Sequence, residues 1–191
     1  MKGCRPLSNE EVAAVVGSFT GAFAKRDLAM FILGVRTGFR ISELLSLKVE
    51  NVVRSGQIVD RVTVQRRNMK GKNEGRTVVL HPIAKQAIND WLKEMGNQTS
   101  PGAYLFASRK GDKPISRVQA WRILDRVFEK TGLEGSLGSH SMRKTFANRV
   151  YEALGQNIFL LQKAMGHRSI NSTTAYLSFR EEEVDSAILA A

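Results

Sequence analysis

What this 191-residue sequence has little of narrows it first. A single cysteine, Cys4, excludes an internal disulfide framework of the kind that staples small secreted domains. No apolar run approaches the ~20 residues that cross a bilayer, and the basic start lacks the apolar centre of a signal peptide. The expectation is a soluble protein of a reducing, cytoplasmic compartment. No His, Cys and carboxylate cluster has metal-ligand spacing, and no Gly-rich nucleotide loop occurs, so neither a metal nor a nucleotide cofactor is expected. Acidic residues are also scarce, 18 against 29 lysines and arginines, which leaves a net charge of +11. A surface this basic attracts a polyanion and releases its counterions on binding. Nucleic acid is the natural partner, and a merely solvated cationic surface is the alternative.

What is present reads as one globular domain: 42% hydrophobic residues, with nine Phe and two Trp, suffice for a sizeable core. SNEEVAAVVGSF places Ser8 three residues before Glu11, a capping-box spacing, followed by Val12, Val15, Val16 and Phe19 at helical intervals. RDLAMFILGVRTG carries Leu28, Phe31, Ile32 and Val35 on one face and ends at Gly38, a helix-stop glycine. RISELLSLKVENV predicts a short helix leading into a strand. Between Gln57 and Leu80 the period changes: IVDRVTVQ alternates, RTVVL is β-branched, and NMKGKNEG lies between them, which predicts one antiparallel hairpin with a basic tip. Helical spacing returns at Ile83, Ala87, Trp91 and Met95, and again at Val118, Trp121, Leu124 and Phe128. Further helical segments follow to the C-terminus, with no internal repeat and no linker.

Four places carry candidate chemistry. In SHSMRKTFANRVYEALG the apolar stripe is Met142, Phe146, Val150 and Leu154, while His140 and Arg143 are neighbours on the helix surface. With Ser139 as N-cap both lie in a first turn that favours an anion; the plainer alternative is a cationic turn on a solvated face. Arg40, just past Gly38, suits a guanidinium that forks two phosphate oxygens, with Glu43 to pair with or orient it; an ordinary surface ion pair is the alternative. Lys70 and Lys72 sit in the basic hairpin segment. In MGHRSINSTTAYLSF, His167 precedes Tyr176 by nine positions across small hydroxyl residues. The remaining histidine, His81, stands before Pro82 and reads as structural.

Taken in order, TGFRISEL, a strand–turn–strand with lysine, HSMR, MGH and the following tyrosine resemble the tyrosine recombinase or phage integrase family, over nearly the whole chain. The resemblance implies an α+β, mainly helical, catalytic-domain fold with a small antiparallel β-sheet. It implies a single catalytic domain over residues 1–191, without the N-terminal core-binding domain of most members, as a short form or a fragment. It also implies that Tyr176 attacks a DNA phosphodiester to give a 3′-phosphotyrosyl link and a free 5′-hydroxyl. Arg40 and Arg143 would clamp the phosphate oxygens and His140 take the tyrosine proton. His167 would donate to a non-bridging oxygen, and a hairpin lysine protonate the leaving oxygen. The family places that lysine five residues before the arginine of the next strand. Five before Arg76 is Gly71, so Lys72 is favoured and Lys70 is the alternative.

Because the phosphotyrosine conserves the bond energy, neither ATP nor a metal is required. Arg117, Arg122 and Arg126 are expected to face double-stranded DNA, with a solvated face as the alternative. A terminal helix bearing Val184, Ile188 and Leu189 would dock on a neighbouring protomer, giving a dimer or tetramer on DNA at the nucleoid; packing on its own domain is the alternative. Two competing functions are a non-cleaving regulatory or accessory protein on the same fold and a topoisomerase using the same chemistry.

Overall fold

The first helix forms where the capping box predicts. In α1 (Asn9–Val16), the Ser8 hydroxyl accepts the Glu11 N–H at 3.1 Å, and the Glu11 carboxylate accepts the Ser8 N–H at 2.8 Å. The structure, a computed structural model, describes residues 3–65, 75–96, 99–109, 113–177 and 188–190. It divides into two compact units, residues 1–146 and 147–191.

The first unit is built around α2 (Ala24–Thr37), which is buried without interruption from Ala29 to Val35. Its apolar residues run all round the helix, so neighbours must cover it on several sides. They do: α1, α3 (Ile41–Leu45) and α5 (Pro82–Met95) all pack against it. Gly38 ends α2 in the left-handed region at φ 60°, and its N–H returns to Gly34 O. A Cβ at Gly38 would lie 2.3 Å from Phe146 Cδ1, so only glycine satisfies both the backbone and the space there.

After α4 (Val49–Val52) come two small antiparallel sheets where the sequence suggested one hairpin. β1 (Val53–Arg54) pairs with β2 (Gln57–Ile58), and β3 (Arg61–Val64) pairs with β4 (Arg76–Val79). The physical reason is Ser55–Gly56, both at positive φ (51° and 75°), which closes a two-residue turn of the type that matches strand twist. At Val59 and Asp60 the chain leaves the first ladder, and Asp60 O accepts the Leu80 N–H at 2.8 Å as the second begins. Within β3 the alternation holds, with Val62 and Val64 inward.

α5 starts at Pro82, with His81 as its N-cap: the ring Nδ1 accepts the Ile83 N–H at 3.2 Å. His81 is thus structural, as read. The buried face of α5 is Ala84, Ile88, Trp91 and Met95, so the expected stripe through Ile83 and Ala87 is displaced by one position at its start; Ile83 is exposed. A similar correction applies to α6 (Arg117–Lys130), capped by Ser116. Leu124 and Phe128 are buried with Ala120, Ile123 and Val127, whereas Val118 and Trp121 face outward. In both helices a small alanine lies on the packed face where the sequence reading favoured a larger residue.

α7 (Ser139–Ala153) begins in the first unit and contributes residues to the second. The second unit continues through α8 (Ile158–Met165), with the Asn157 side chain accepting the Phe159 and Leu160 N–H groups, to α9 (Asn171–Thr174), which packs against α8. Past α7, Leu161, Met165, Thr173 and Leu177 are buried among the described residues. No helix among the described residues is long and apolar enough to cross a membrane. The fold is mainly helical α+β.

Candidate active site

In the first unit two of the candidate residues, Arg40 and Arg143, meet the chain at the α2–α3 junction. The last carbonyls of a helix have no intrahelical donor and carry the negative end of its dipole, so they favour cations. Two arginines meet that demand. Arg143 is only 1% exposed and donates through Nη1 to Gly38 O. Arg76, also buried, donates through Nη1 to the same oxygen at 3.2 Å and through Nη2 to Thr37 O at 2.7 Å. The Arg76 guanidinium lies 5.2 Å from the Phe39 ring centroid and 5.6 Å from that of Phe146.

Arg40 follows two residues after Gly38, as the N-cap of α3. The buried Glu43 carboxylate accepts the Arg40 N–H at 2.7 Å and its Nη1 at 3.3 Å, holding backbone and side chain together. Arg40 keeps 44% of its side chain exposed, so its remaining donors are available to solvent or a ligand.

Arg143 is placed by the first turns of α7, in which Ser141, Met142, Arg143, Thr145 and Phe146 are all buried. Close approach to α2 is possible because Gly34 has no side chain: a Cβ there would lie 2.5 Å from Met142 Sδ. Ser139 is the first helical residue rather than the N-cap; Gly138 precedes it, and its N–H donates to Ser141 Oγ at 3.2 Å. His140 is therefore the second residue of α7, and it is exposed. A strap from the N-terminus fastens this turn. Leu7 N–H donates to Thr145 Oγ1 at 2.8 Å, Thr145 Oγ1 donates to Ser141 O at 2.8 Å, and Arg5 N–H donates to Ser136 O at 2.9 Å.

In the second unit the spacing of His167 and Tyr176 acquires a reason. Gly166 ends α8 in the left-handed region and the His167 N–H returns to Gln162 O at 3.0 Å, so the chain reverses at once. α9 then brings Tyr176 back until the two rings lie 5.3 Å apart, tilted by 31°. His167 Nδ1 is 3.0 Å from the hydroxyl of the buried Thr173, and the Tyr176 N–H donates to Thr173 O at 3.0 Å. One threonine thus touches both candidate residues.

Arg117, Arg122 and Arg126 are exposed on α6, with Val118 and Trp121 exposed on the same helix. Lys70, Lys72 and Val184 lie outside the described residues, whereas Ile188 and Leu189 are 68% and 88% exposed. Sequence reasoning used Arg76 only to mark the register of the hairpin, and passed over Thr173 in a hydroxyl-rich run. The signal for Arg76 was a charge at the first position of a β-branched strand; nothing singled out Thr173 from its neighbours.

The chain belongs to the phage integrase family, whose model matches residues 7–183. It is 34% identical over 163 residues to the probable integrase/recombinase YoeC of Bacillus subtilis (strain 168), covering 85% of this chain and 83% of that one. It is 32% identical over 153 residues to the tyrosine recombinase XerD of Corynebacterium glutamicum, covering 79% of this chain and 47% of that one. Among solved structures, that of the XerH site-specific recombinase bound to difH substrate, a pre-cleavage complex, aligns with a TM-score of 0.74 at 26% identity, covering 97% of this chain and 53% of XerH. The chain thus spans about half the length of XerD and XerH.

Proposed function

We propose that this chain is the catalytic domain, over residues 1–191, of a site-specific recombinase that cuts and rejoins double-stranded DNA through a 3′-phosphotyrosine. The observation that carries the reading is the pairing of His167 with Tyr176, rings 5.3 Å apart on a shared threonine, in a chain of this family. XerH, the structural relative bound to its difH substrate, supports a nucleic-acid target for this chain. The charge of +11 supports the same target.

In the proposed reaction Tyr176 Oη attacks the scissile phosphorus and the bond to the 5′-oxygen breaks. A free tyrosine titrates near pH 10, so its proton must be taken as the bond forms, and His140 is the acceptor. Arg40 and Arg143 neutralise the non-bridging oxygens, and His167 donates a hydrogen bond to one of them. Arg143 is pre-aimed by burial and Arg40 by Glu43, so little reorganisation is needed as charge develops. Lys72, or Lys70, protonates the leaving 5′-oxygen. Rejoining runs the same steps in reverse with a 5′-hydroxyl from the partner strand. Since the phosphotyrosine stores the energy of the broken bond, the reaction needs neither ATP nor a metal ion. Arg117, Arg122 and Arg126 hold backbone phosphates, Ile188 and Leu189 dock on a second protomer, and the complex works at the nucleoid.

The test is a denaturing gel of the chain incubated in EDTA, without ATP, with nicked duplexes tiled from the DNA flanking its own gene. A covalent adduct that the Tyr176→Phe variant does not form is the expected result. DNA binding without adduct on every tile would favour the non-cleaving regulatory alternative, and plasmid relaxation without exchanged product would favour a topoisomerase.

A further inference from the structure

The two guanidinium groups that meet at Gly38 have different surroundings. Arg143 comes from α7, which also carries His140. Arg76 comes from the first position of β4, opposite Val64 in the ladder, and no role in the proposed chemistry has been given to it. It spans two successive carbonyls, Thr37 O at 2.7 Å and Gly38 O at 3.2 Å, which are the last before Phe39 and Arg40. Its planar head lies near the faces of Phe39, next to Arg40 in sequence, and of Phe146, one turn after Arg143. One side chain therefore touches the backbone that leads into Arg40, the ring beside Arg40, the ring beside Arg143, and the carbonyl that Arg143 itself uses.

We propose that Arg76 is a positioning residue for the arginine pair: it fixes the Thr37–Gly38 turn and thereby sets where the Arg40 and Arg143 guanidinium groups stand. The inference rests on the reading of those two arginines as the phosphate clamp. A lysine cannot substitute, because bridging two carbonyls while lying flat between rings requires the planar fork of a guanidinium.

Arg76→Lys and Arg76→Met in the full chain test this with two readouts. The first does not depend on cleavage: amide hydrogen exchange, followed by mass spectrometry. Exchange over Phe39–Leu45 is expected to rise by about tenfold or more while α5 and α6 stay unchanged. Unaltered exchange there in a folded Arg76→Lys overturns the proposal.

The second readout is the rate of adduct formation on a nicked duplex carrying either an ordinary phosphate or a neutral methylphosphonate at the scissile position. On phosphate the defect is expected to be about ten- to a hundredfold, the scale of a misplaced clamp. On methylphosphonate, which has less charge for a guanidinium pair to hold, the defect should shrink. An equal defect on both, or an Arg76→Lys chain that does not fold, would make Arg76 a general stabiliser and overturn the proposal. If the wild-type chain forms no adduct on any duplex while the exchange result comes out as expected, the recombinase reading fails and the anchor stands.

Discussion

The arginine turn of the first unit and the tyrosine turn of the second solve opposite problems. Around Gly38 nearly everything is buried: Arg143, Arg76, Phe39 and Phe146 interlock, and Gly34 and Gly38 are small because Met142 and Phe146 occupy the space. Around Tyr176 the described framework is a four-residue helix, the buried Thr173 and Leu177, and a reversal at Gly166. A group that must hold a phosphate while charge develops gains from being fixed beforehand. In the proposed reaction the nucleophile becomes covalently attached to its substrate and must follow the phosphorus, which a short helical turn can accommodate. Overfilling the packed glycines of the first region should therefore register as lost stability, and damage to the second region as lost chemistry.

The largest contrast comes from Tyr176→Phe. It should abolish adduct formation while stability in urea falls by no more than about 1–2 kcal/mol, because one hydroxyl is removed and the ring stays. Gly38→Ala should do the reverse, lowering stability by about 2–5 kcal/mol by urea titration, from the left-handed backbone and the clash with Phe146 together. A Gly38→Ala chain as stable as the parent would break the comparison.

Thr173→Val sharpens it from the other side. Shape is retained and the His167 partner is lost, so a stability change of about 1 kcal/mol should accompany a roughly tenfold slower cleavage, with Thr173→Ser restoring most of the rate. Equal rates for Val and Ser would remove Thr173 from the account.

The smallest effect is expected at the N-terminal strap, where Arg5 donates to Glu11 through both terminal nitrogens, at 2.8 and 2.6 Å. That hydrogen bonding, opposed by partial burial, holds the Glu11 carboxyl below its ordinary range. A carboxylate with a depressed folded pKa stabilises the fold above its unfolded pKa and loses that contribution as pH falls through the folded value. Arg5→Ala should therefore cost about 1 kcal/mol or less at pH 7, with the difference from the parent narrowing as pH is lowered through the carboxylate range. A difference independent of pH would mean that the Arg5 guanidinium acts through its donations to the Glu134 and Pro6 carbonyls and not through Glu11.

Much of this arrangement was legible in the residues. Local signals that need no tertiary information were read correctly: the Ser8–Glu11 capping box, the Gly38 stop and the structural role of His81 before Pro82. The order of the motifs was enough to place the chain in its family. The misses share a cause. The inward faces of α5 and α6 include Ala84 and Ala120, which periodicity undervalues because a small residue buries little area yet lets helices approach closely. The second hairpin was hidden in Ser55–Gly56, where a serine adopts the positive φ more often taken by Asn or Gly. Arg76 and Thr173 were passed over because their importance is positional: a buried arginine and a buried threonine acquire meaning only when the carbonyls or imidazole they touch are known.

The central claim, that Tyr176 is the residue that becomes joined to DNA, is tested most directly by isolating the adduct, digesting it with protease and nuclease, and locating the remaining nucleotide by mass spectrometry. The account predicts a single modified peptide spanning Tyr176, bearing a 3′-linked nucleotide through the phenolic oxygen. Attachment at Tyr104, Tyr151 or any other residue, or a 5′-linked nucleotide, would contradict it.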